Sequence, residues 1–317
     1  MTGAAAPPEG TSAEPFAAGP TRPGLLRTLE ALAILGAIAF ALVFWARLPG
    51  RLPSEADYLA VQKTLTAEVQ PGDGVALVPF WADRGKLFLH GLPIVALPDL
   101  EADAERYPRL WLLAQPELPR SDAARTLRAL DERLVPRGEA RRFGPLSLSL
   151  YEPRPGRAAT LDLTAHLAEA EVSIGGSSPV ACVRAGNGFQ CPRGGWNHVA
   201  PEWHEFDELP RRCLWAHPVG EEPLSIAFAQ APIHGGLRGG FGLVGQAALL
   251  PNAAPVDLAV RIDGALVASL ELAPGDPGWH PFELDLPGLA GRSHALALEV
   301  TSPNPGMRHF CVDAVAF

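Results

Sequence analysis

The sequence predicts a single transmembrane helix plus a small three-layer α/β domain and a C-terminal antiparallel β-sandwich. Three observations predict this. An apolar run without polar side chains occupies residues 31–46. Between residues 54 and 153, apolar positions switch repeatedly between helical and strand spacing. Beyond residue 158, period-two alternation and tight turn signals take over. A length of 317 residues suits about two soluble domains, and 33 Pro with 32 Gly call for many turns. The formal charge is -9, and only Lys63 and Lys86 among the 26 basic residues are lysine. Without a clustered basic stretch to neutralise phosphates, the chain is not expected to bind nucleic acid.

Residues 1–23 are rich in Ala, Pro, Gly, Ser and Thr and are read as a disordered cytoplasmic tail, because they hold too little apolar surface to offset ordering entropy. Residues 24–51 are the expected anchor. The stretch Leu29–Leu48 makes a helix of roughly 30 Å, enough to cross the hydrocarbon core. Glu30 follows Arg27 by three residues, so the two can pair at one interface, and Trp45 suits the other. A cleaved signal peptide is the competing reading, but Phe44 would occupy the −3 position for cleavage after Ala46. Arg22 and Arg27 before the span balance Arg47 and Arg51 after it, so charge does not set orientation.

Cysteine sets it instead. Cys182, Cys191, Cys213 and Cys311 all lie far beyond the anchor, and an even count without a CxxC pair fits two disulfides in an oxidising compartment. Four buried thiols would satisfy the same count. Of the three pairings, Cys182–Cys191 and Cys213–Cys311 are favoured. Gly186-Asn187-Gly188 can reverse the chain within the first pair, and the second would fasten the last strand to the earlier half of a sandwich. The expected location is the inner (cytoplasmic) membrane, single-pass through residues 25–48, with the soluble C-terminal domains in the periplasm.

The α/β domain is expected over residues 52–153. Ser54 and Asp57 form an N-terminal cap, followed by Tyr58, Val61 and Leu65 at helical spacing; Pro71-Gly72-Asp73 ends that helix. Val75–Val78, Leu92–Leu97 and Arg109–Ala114 read as strands. Ser121 caps a helix carrying Leu127, Leu130 and Leu134, and Leu146, Leu148 and Leu150 alternate along a closing strand. The turn Pro79-Phe80-Trp81-Ala82-Asp83 lacks the glycines that admit a phosphate, so no dinucleotide and no other cofactor is expected.

The order capped helix, Gln70-Pro71-Gly72-Asp73, apolar strand, Trp81, then Tyr107-x-Arg109-Leu110-Trp111-Leu112-Leu113 and Phe143…Leu148…Tyr151 resembles a known module. It is similar to the C-terminal extracytoplasmic domain of protein-mannosyltransferase-like membrane glycosyltransferases, over about a third of the chain. Those enzymes carry catalytic acids on loops between many spans. This sequence has one span, so the resemblance implies an envelope glycan context and carries over no catalytic residue.

The sandwich is expected over residues 158–317. Val256, Leu258, Val260 and Ile262 alternate before Asp263-Gly264, a tight hairpin signal, and Leu266, Leu270 and Leu272 follow on the return strand. Phe282/Leu284/Leu286, Leu296/Leu298/Val300 and Phe310–Phe317 continue the pattern, after apolar runs at Leu224–Phe228 and Leu243–Leu250. The run from Val260 through Trp279-His280-Pro281-Phe282 to Val300 resembles galactose-binding-like jelly rolls, including carbohydrate-binding modules. That resemblance implies a fold more than a ligand.

The densest polar and aromatic segment supplies the candidate ligand site: Trp196, Asn197, His198, Trp203, His204, Asp207, Trp215 and His217. Indole rings stack on sugar faces while amide, imidazole and carboxylate groups bond hydroxyls. The segment reads as a long loop pinned by disulfides. It lacks HExxH, and no metal ligands or catalytic residues are assigned. The glycine-rich run Ile233–Gly242 reads as flexible turns, because the nucleophile motif GxSxG is absent throughout. The function expected is a non-catalytic, membrane-anchored envelope protein that binds a glycan or a partner protein. The alternative is an accessory subunit of a membrane glycosyltransferase or a metal-dependent hydrolase using the histidine-rich segment.

Overall fold

The computed structural model describes residues 23–48, 50, 52–78, 83–95, 103–115, 122–250 and 253–317. The expected tail, the turn around Trp81, the cap at Ser121 and the end of the Leu92–Leu97 segment lie outside them. The chain divides into two compact units that meet between Leu52 and Pro53.

In the first unit, helix α1 (Pro23–Arg47) has Gly36 as its only interior helix breaker. Within the 21 residues from Arg27 to Arg47, the most apolar stretch of 18 has a mean hydropathy of 2.2, and the helix is long and apolar enough to cross a membrane. Its described side chains, Leu29, Phe40 and Trp45 included, are exposed.

The second unit runs from Pro53 to Phe317. Helix α2 (Glu55–Glu68) starts at a capping box. The Ser54 hydroxyl accepts from the Asp57 amide at 3.2 Å, and the Asp57 carboxylate accepts from the Ser54 amide at 2.8 Å. Strands β1 (Gly74–Val78) and β2 (Leu110–Ala114) pair in parallel. Short helix α3 (Asp83–Phe88) follows β1, and α4 (Asp122–Arg133) follows β2. Strands β3 (Leu134–Pro136), β4 (Arg141–Phe143) and β5 (Leu146–Pro153) complete a five-stranded sheet ordered β1-β2-β5-β3, with β4 also on β5. Tyr58, Val61 and Leu65 of α2 pack against Val75, Leu77, Trp111 and Leu113, while Leu127 and Leu130 of α4 pack with Ala76, Val78, Leu110 and Leu112. Burial on both sheet faces explains why β1 and β2 are apolar without alternation. Of the predicted strand Leu92–Leu97, the described residues 92–95 form no regular strand. Among the described residues Ile94 makes one isolated parallel bridge, to Val75, and Pro93 has no amide to extend it.

The remaining strands form two packed sheets. One holds β6 (Leu161–Asp162), β9 (Val183–Ala185), β10 (Gly188–Gln190), β11 (His198–Phe206), β12 (Leu209–Ala216), β14 (Gly236–Leu243), β17 (His280–Asp285) and β19 (Phe310–Ala316). Its order is β17-β14-β19-β12-β11-β10-β9, with β6 on β19. The other, ordered β16-β15-β18-β13-β7-β8, holds β7 (Glu171–Ile174), β8 (Val180–Ala181), β13 (Leu224–Pro232), β15 (Val256–Ile262), β16 (Ala265–Leu272) and β18 (Ser293–Thr301). Every strand pair in both is antiparallel. Val199, Leu214, Phe241 and Val312 from the first sheet meet Ile226, Leu258, Val260 and Leu298 from the second in one core, as in a β-sandwich. The Asp263-Gly264 hairpin has φ of 50° and 81°, the left-handed pair that a two-residue turn requires.

Two expectations from this half of the chain are overturned. The aromatic segment is a regular hairpin, β11–β12, rather than a long loop, because Asp207 and Glu208 both adopt left-handed φ of 51° and 64° and turn the chain in two residues. The glycine-rich run is largely a strand, β14, between β17 and β19. Its glycines admit close neighbours: a Cβ on Gly239 would strike the Asp313 carbonyl oxygen, and one on Gly240 the Trp279 indole. Both disulfides have the favoured pairing, Cys182–Cys191 and Cys213–Cys311.

An ionic cluster ties the segment around Glu105 to the sandwich. Glu105 is fully buried and accepts from Arg157 Nε and Nη2 at 3.0 Å each and from Arg133 Nη1 at 3.2 Å. Arg238 of β14 lies 3.2 Å away, and burial pushes its guanidinium down to about 10. It stays charged at neutral pH, so one buried carboxylate is held by three arginines.

Candidate functional site

The structure gathers five of the eight predicted residues on one face of the β11–β12 hairpin. Successive strand residues point to opposite faces, so His198, Glu202 and His204 share a face, together with Trp215, which pairs across the hairpin with Ala200. The Glu202 carboxylate bonds both imidazoles, His198 Nε2 at 2.8 Å and His204 Nε2 at 2.9 Å. Trp215 is surrounded by rings, with centroids of His198 at 5.8 Å, His204 at 5.3 Å and His217 at 6.1 Å. Trp196 meets His217 edge-on at 4.8 Å and leaves 47% of its surface exposed.

His309, which sequence reasoning missed, completes this face at 5.3 Å from Trp215 and 5.7 Å from His217. Glu202 was missed too. Its place midway in the period-two series His198, Ala200, Glu202, His204 is the signal that reading the segment as a strand would have exposed.

The disulfide Cys213–Cys311 lies on the same face of the sheet, since Cys213 pairs across the hairpin with Glu202. Cys311 pairs across strands with Trp215 and fastens β12 to β19. The closed loop spans 98 residues, a constraint on the unfolded chain of about 4–5 kcal/mol. Burial pushes the His217 and His309 imidazoles below the ordinary histidine range, and nearby Arg308 lowers both further. Both rings are therefore neutral at neutral pH, each with one donor and one acceptor nitrogen.

The other three predicted residues lie elsewhere. Asn197 is fully buried, and its carbonyl accepts from the Cys191 amide at 2.9 Å, which helps close the loop of the smaller disulfide. Asp207 sits in the hairpin turn and accepts from the Trp279 amide at 3.0 Å, a structural clasp. Trp203, 60% exposed, lines a separate cleft with Trp279 and Tyr107. Among the described residues no group of three His, Cys, Asp or Glu side chains is placed to hold a metal ion.

No family model matches the chain, and no curated protein matches it. The resemblance of residues 54–153 to mannosyltransferase-like domains thus stays an expectation. Among solved structures the chain is similar to CBM51 from Clostridium perfringens GH95 in complex with methyl-galactose, at 12% identity, TM-score 0.25, covering 37% of this chain and 81% of that one. It is also similar to a family 35 carbohydrate binding module from an environmental isolate, at 13% identity, TM-score 0.26, covering 37% and 78%. A third is exo-beta-1,3-galactanase from Phanerochaete chrysosporium with beta-1,3-galactotriose, at 9% identity, TM-score 0.26, covering 55% and 38%. With TM-scores this low, these likenesses decide nothing about ligand or site.

Proposed function

We propose that this chain is a membrane-tethered, extracytoplasmic protein whose sandwich binds a glycan without transforming it. Helix α1 supports the tether: leaving so many large apolar side chains in water is unfavourable by about 25 cal/mol per Å2, and a bilayer removes that cost. Two disulfides support an oxidising compartment for the sandwich, with the periplasm side of an inner membrane as the location. A topology reporter fused after Phe317 is then active outside the cytoplasm; activity only inside contradicts the orientation.

The observation that carries the glycan reading is the half-exposed Trp196 ring, held edge-on by His217 beside a row of imidazoles. A sugar presents an apolar C–H face to an indole and hydroxyls around its rim. Neutral His309 can donate to or accept from those hydroxyls, the Nε2 of neutral His217 can accept because its Nδ1 donates to the Pro218 carbonyl, and Glu202 adds acceptors. Trp215 is half-buried and locked by its neighbours, so it supports the platform more than it contacts the ligand.

The test is glycan-array binding by the detergent-solubilised full chain, alongside a Trp196→Ala variant. Binding that falls by about tenfold or more in the variant, with the melting temperature unchanged, supports the reading. An array without hits, or hits that the variant retains in full, would overturn it.

A further inference from the structure

A cleft of ≈ 470 Å3 opens where the turn end of the β11–β12 hairpin meets the segment Asp103–Pro108, a volume within the range of about 300–1,000 Å3 typical of small-ligand sites. It is separate from the Trp196 face. Trp203, Tyr107 and Trp279 supply its rings, and Arg106, Arg211 and Arg212 its cations.

The charges of the cleft fall into two sets. Arg106 is fully engaged. It donates to Asp162 at 2.8 Å and to Asp313, and the Thr164 hydroxyl donates to the same Asp313 at 2.6 Å. Those two carboxylates are therefore already bonded. Arg211 and Arg212 keep unused donors. Arg211 forms an ion pair with Asp103 at 3.9 Å, beyond hydrogen-bond reach, and among the described residues its buried Nε has no acceptor. Its guanidinium is held 5.0 Å from the centre of the Trp279 ring, which fixes its plane. Arg212 makes no hydrogen bond or ion pair among the described residues. It is the direct cross-strand partner of Trp203, so an exposed indole and an uncommitted guanidinium start side by side, with Cβ atoms about 4.5–5.5 Å apart.

We propose that this cleft binds an anionic sugar unit, with a pyranose ring against Trp203 and its carboxylate bonded by Arg211 and Arg212. A ligand here must supply acceptors, because the unused groups are donors. A carboxylate supplies two in the plane that a guanidinium fork matches, and the bonds are charge-assisted. The exposed indole adds the ring selectivity that a bare anion site lacks. This site does not depend on the Trp196 face, and either reading can fail alone.

Calorimetric titration of the full chain in detergent with a galacturonic acid trimer tests it, with the methyl-esterified trimer and acetate as controls. The acid trimer binds, its affinity falling as salt rises, and the ester binds about tenfold or more weaker. Trp203→Ala and Arg212→Met, both at exposed positions, each weaken the acid trimer by about tenfold at unchanged melting temperature, while Trp196→Ala leaves it unaffected. No binding of the acid trimer, equal affinity for the ester, full competition by equimolar acetate, or indifference to both cleft variants would each overturn the proposal.

Discussion

The two ends of the β11–β12 hairpin are built from similar residues and differ in how completely those residues satisfy one another. At the open end, Trp196, His198, Trp215, His217 and His309 pack ring against ring on the face that also carries a disulfide. At the turn end, Trp203 is exposed, and among the described residues Arg212 makes no hydrogen bond or ion pair and the buried Nε of Arg211 has no acceptor. The first end is a rigid surface whose geometry is set before any ligand arrives. The second is a cleft with donors in reserve. Preorganised rings suit contact with a neutral sugar face, while unused guanidinium donors call for an anion.

The sharpest way to break the open end is to remove its brace. Replacing Cys213 and Cys311 together by alanine is expected to cost about 4–5 kcal/mol in denaturant unfolding of the oxidised protein, since the bond closes a 98-residue loop. The smaller loop, nine residues in sequence separation, gives a smaller loss when Cys182 and Cys191 are replaced. Equal losses for the two pairs would contradict this ranking.

Next in size is Trp196→Ala. It removes a half-exposed ring whose packing partner is His217, so stability should change by less than about 0.5 kcal/mol while glycan affinity drops by about 2 kcal/mol. Thermal melting and titration with an array-identified glycan separate the two effects.

Acid distinguishes the ends by charge. Burial holds the His217 and His309 pKa values below the unfolded value of about 6.5. Above that value both folded and unfolded states carry neutral rings, and the full stability is present. As pH falls below it, the unfolded chain takes up protons first, so stability declines until the folded rings protonate as well. A melting temperature that falls between pH 7 and about pH 5, with a shallower slope in His309→Gln, is the expected result. An unchanged slope would remove His309 from the account.

The smallest effect belongs to the turn. Glu208 carries φ of 64°, a conformation that costs a non-glycine residue about 1–2 kcal/mol. Glu208→Gly should raise stability by up to about 1 kcal/mol in urea unfolding, after the extra freedom of glycine in the unfolded chain is subtracted. A loss of stability would show that the Glu208 side chain contributes more than its backbone strain costs.

That turn also shows why half of the site was hard to read. The Asp263-Gly264 hairpin was legible because glycine announces a left-handed position. The Asp207-Glu208 hairpin makes the same turn with residues that carry no such signal, and β11 contains Pro201, a residue rare inside strands. Reading that segment as a loop hid the alternation that puts Glu202 with His198 and His204. It also hid the split that sends Trp203 to a different site. His309 joins the face only because β19 pairs with β12, a contact across about a hundred residues that no local pattern encodes. The glycines of β14 misled in the opposite direction, since close approach by Asp313 and Trp279 needs the same residue as a flexible turn. Strands β15 and β18 of the sandwich alternate strictly, and the helix at Ser54 has its capping box, so these were legible from local chemistry.

The central claim is that a sugar sits on Trp196. Tryptophan oxidation by N-bromosuccinimide, mapped by mass spectrometry on the full chain with and without a bound array-identified neutral glycan, tests it most directly. In the free protein both exposed sandwich indoles, Trp196 and Trp203, should be modified readily. The account predicts that the glycan protects Trp196 and leaves Trp203 reactive. Saturating glycan with Trp196 oxidised at an unchanged rate would contradict it.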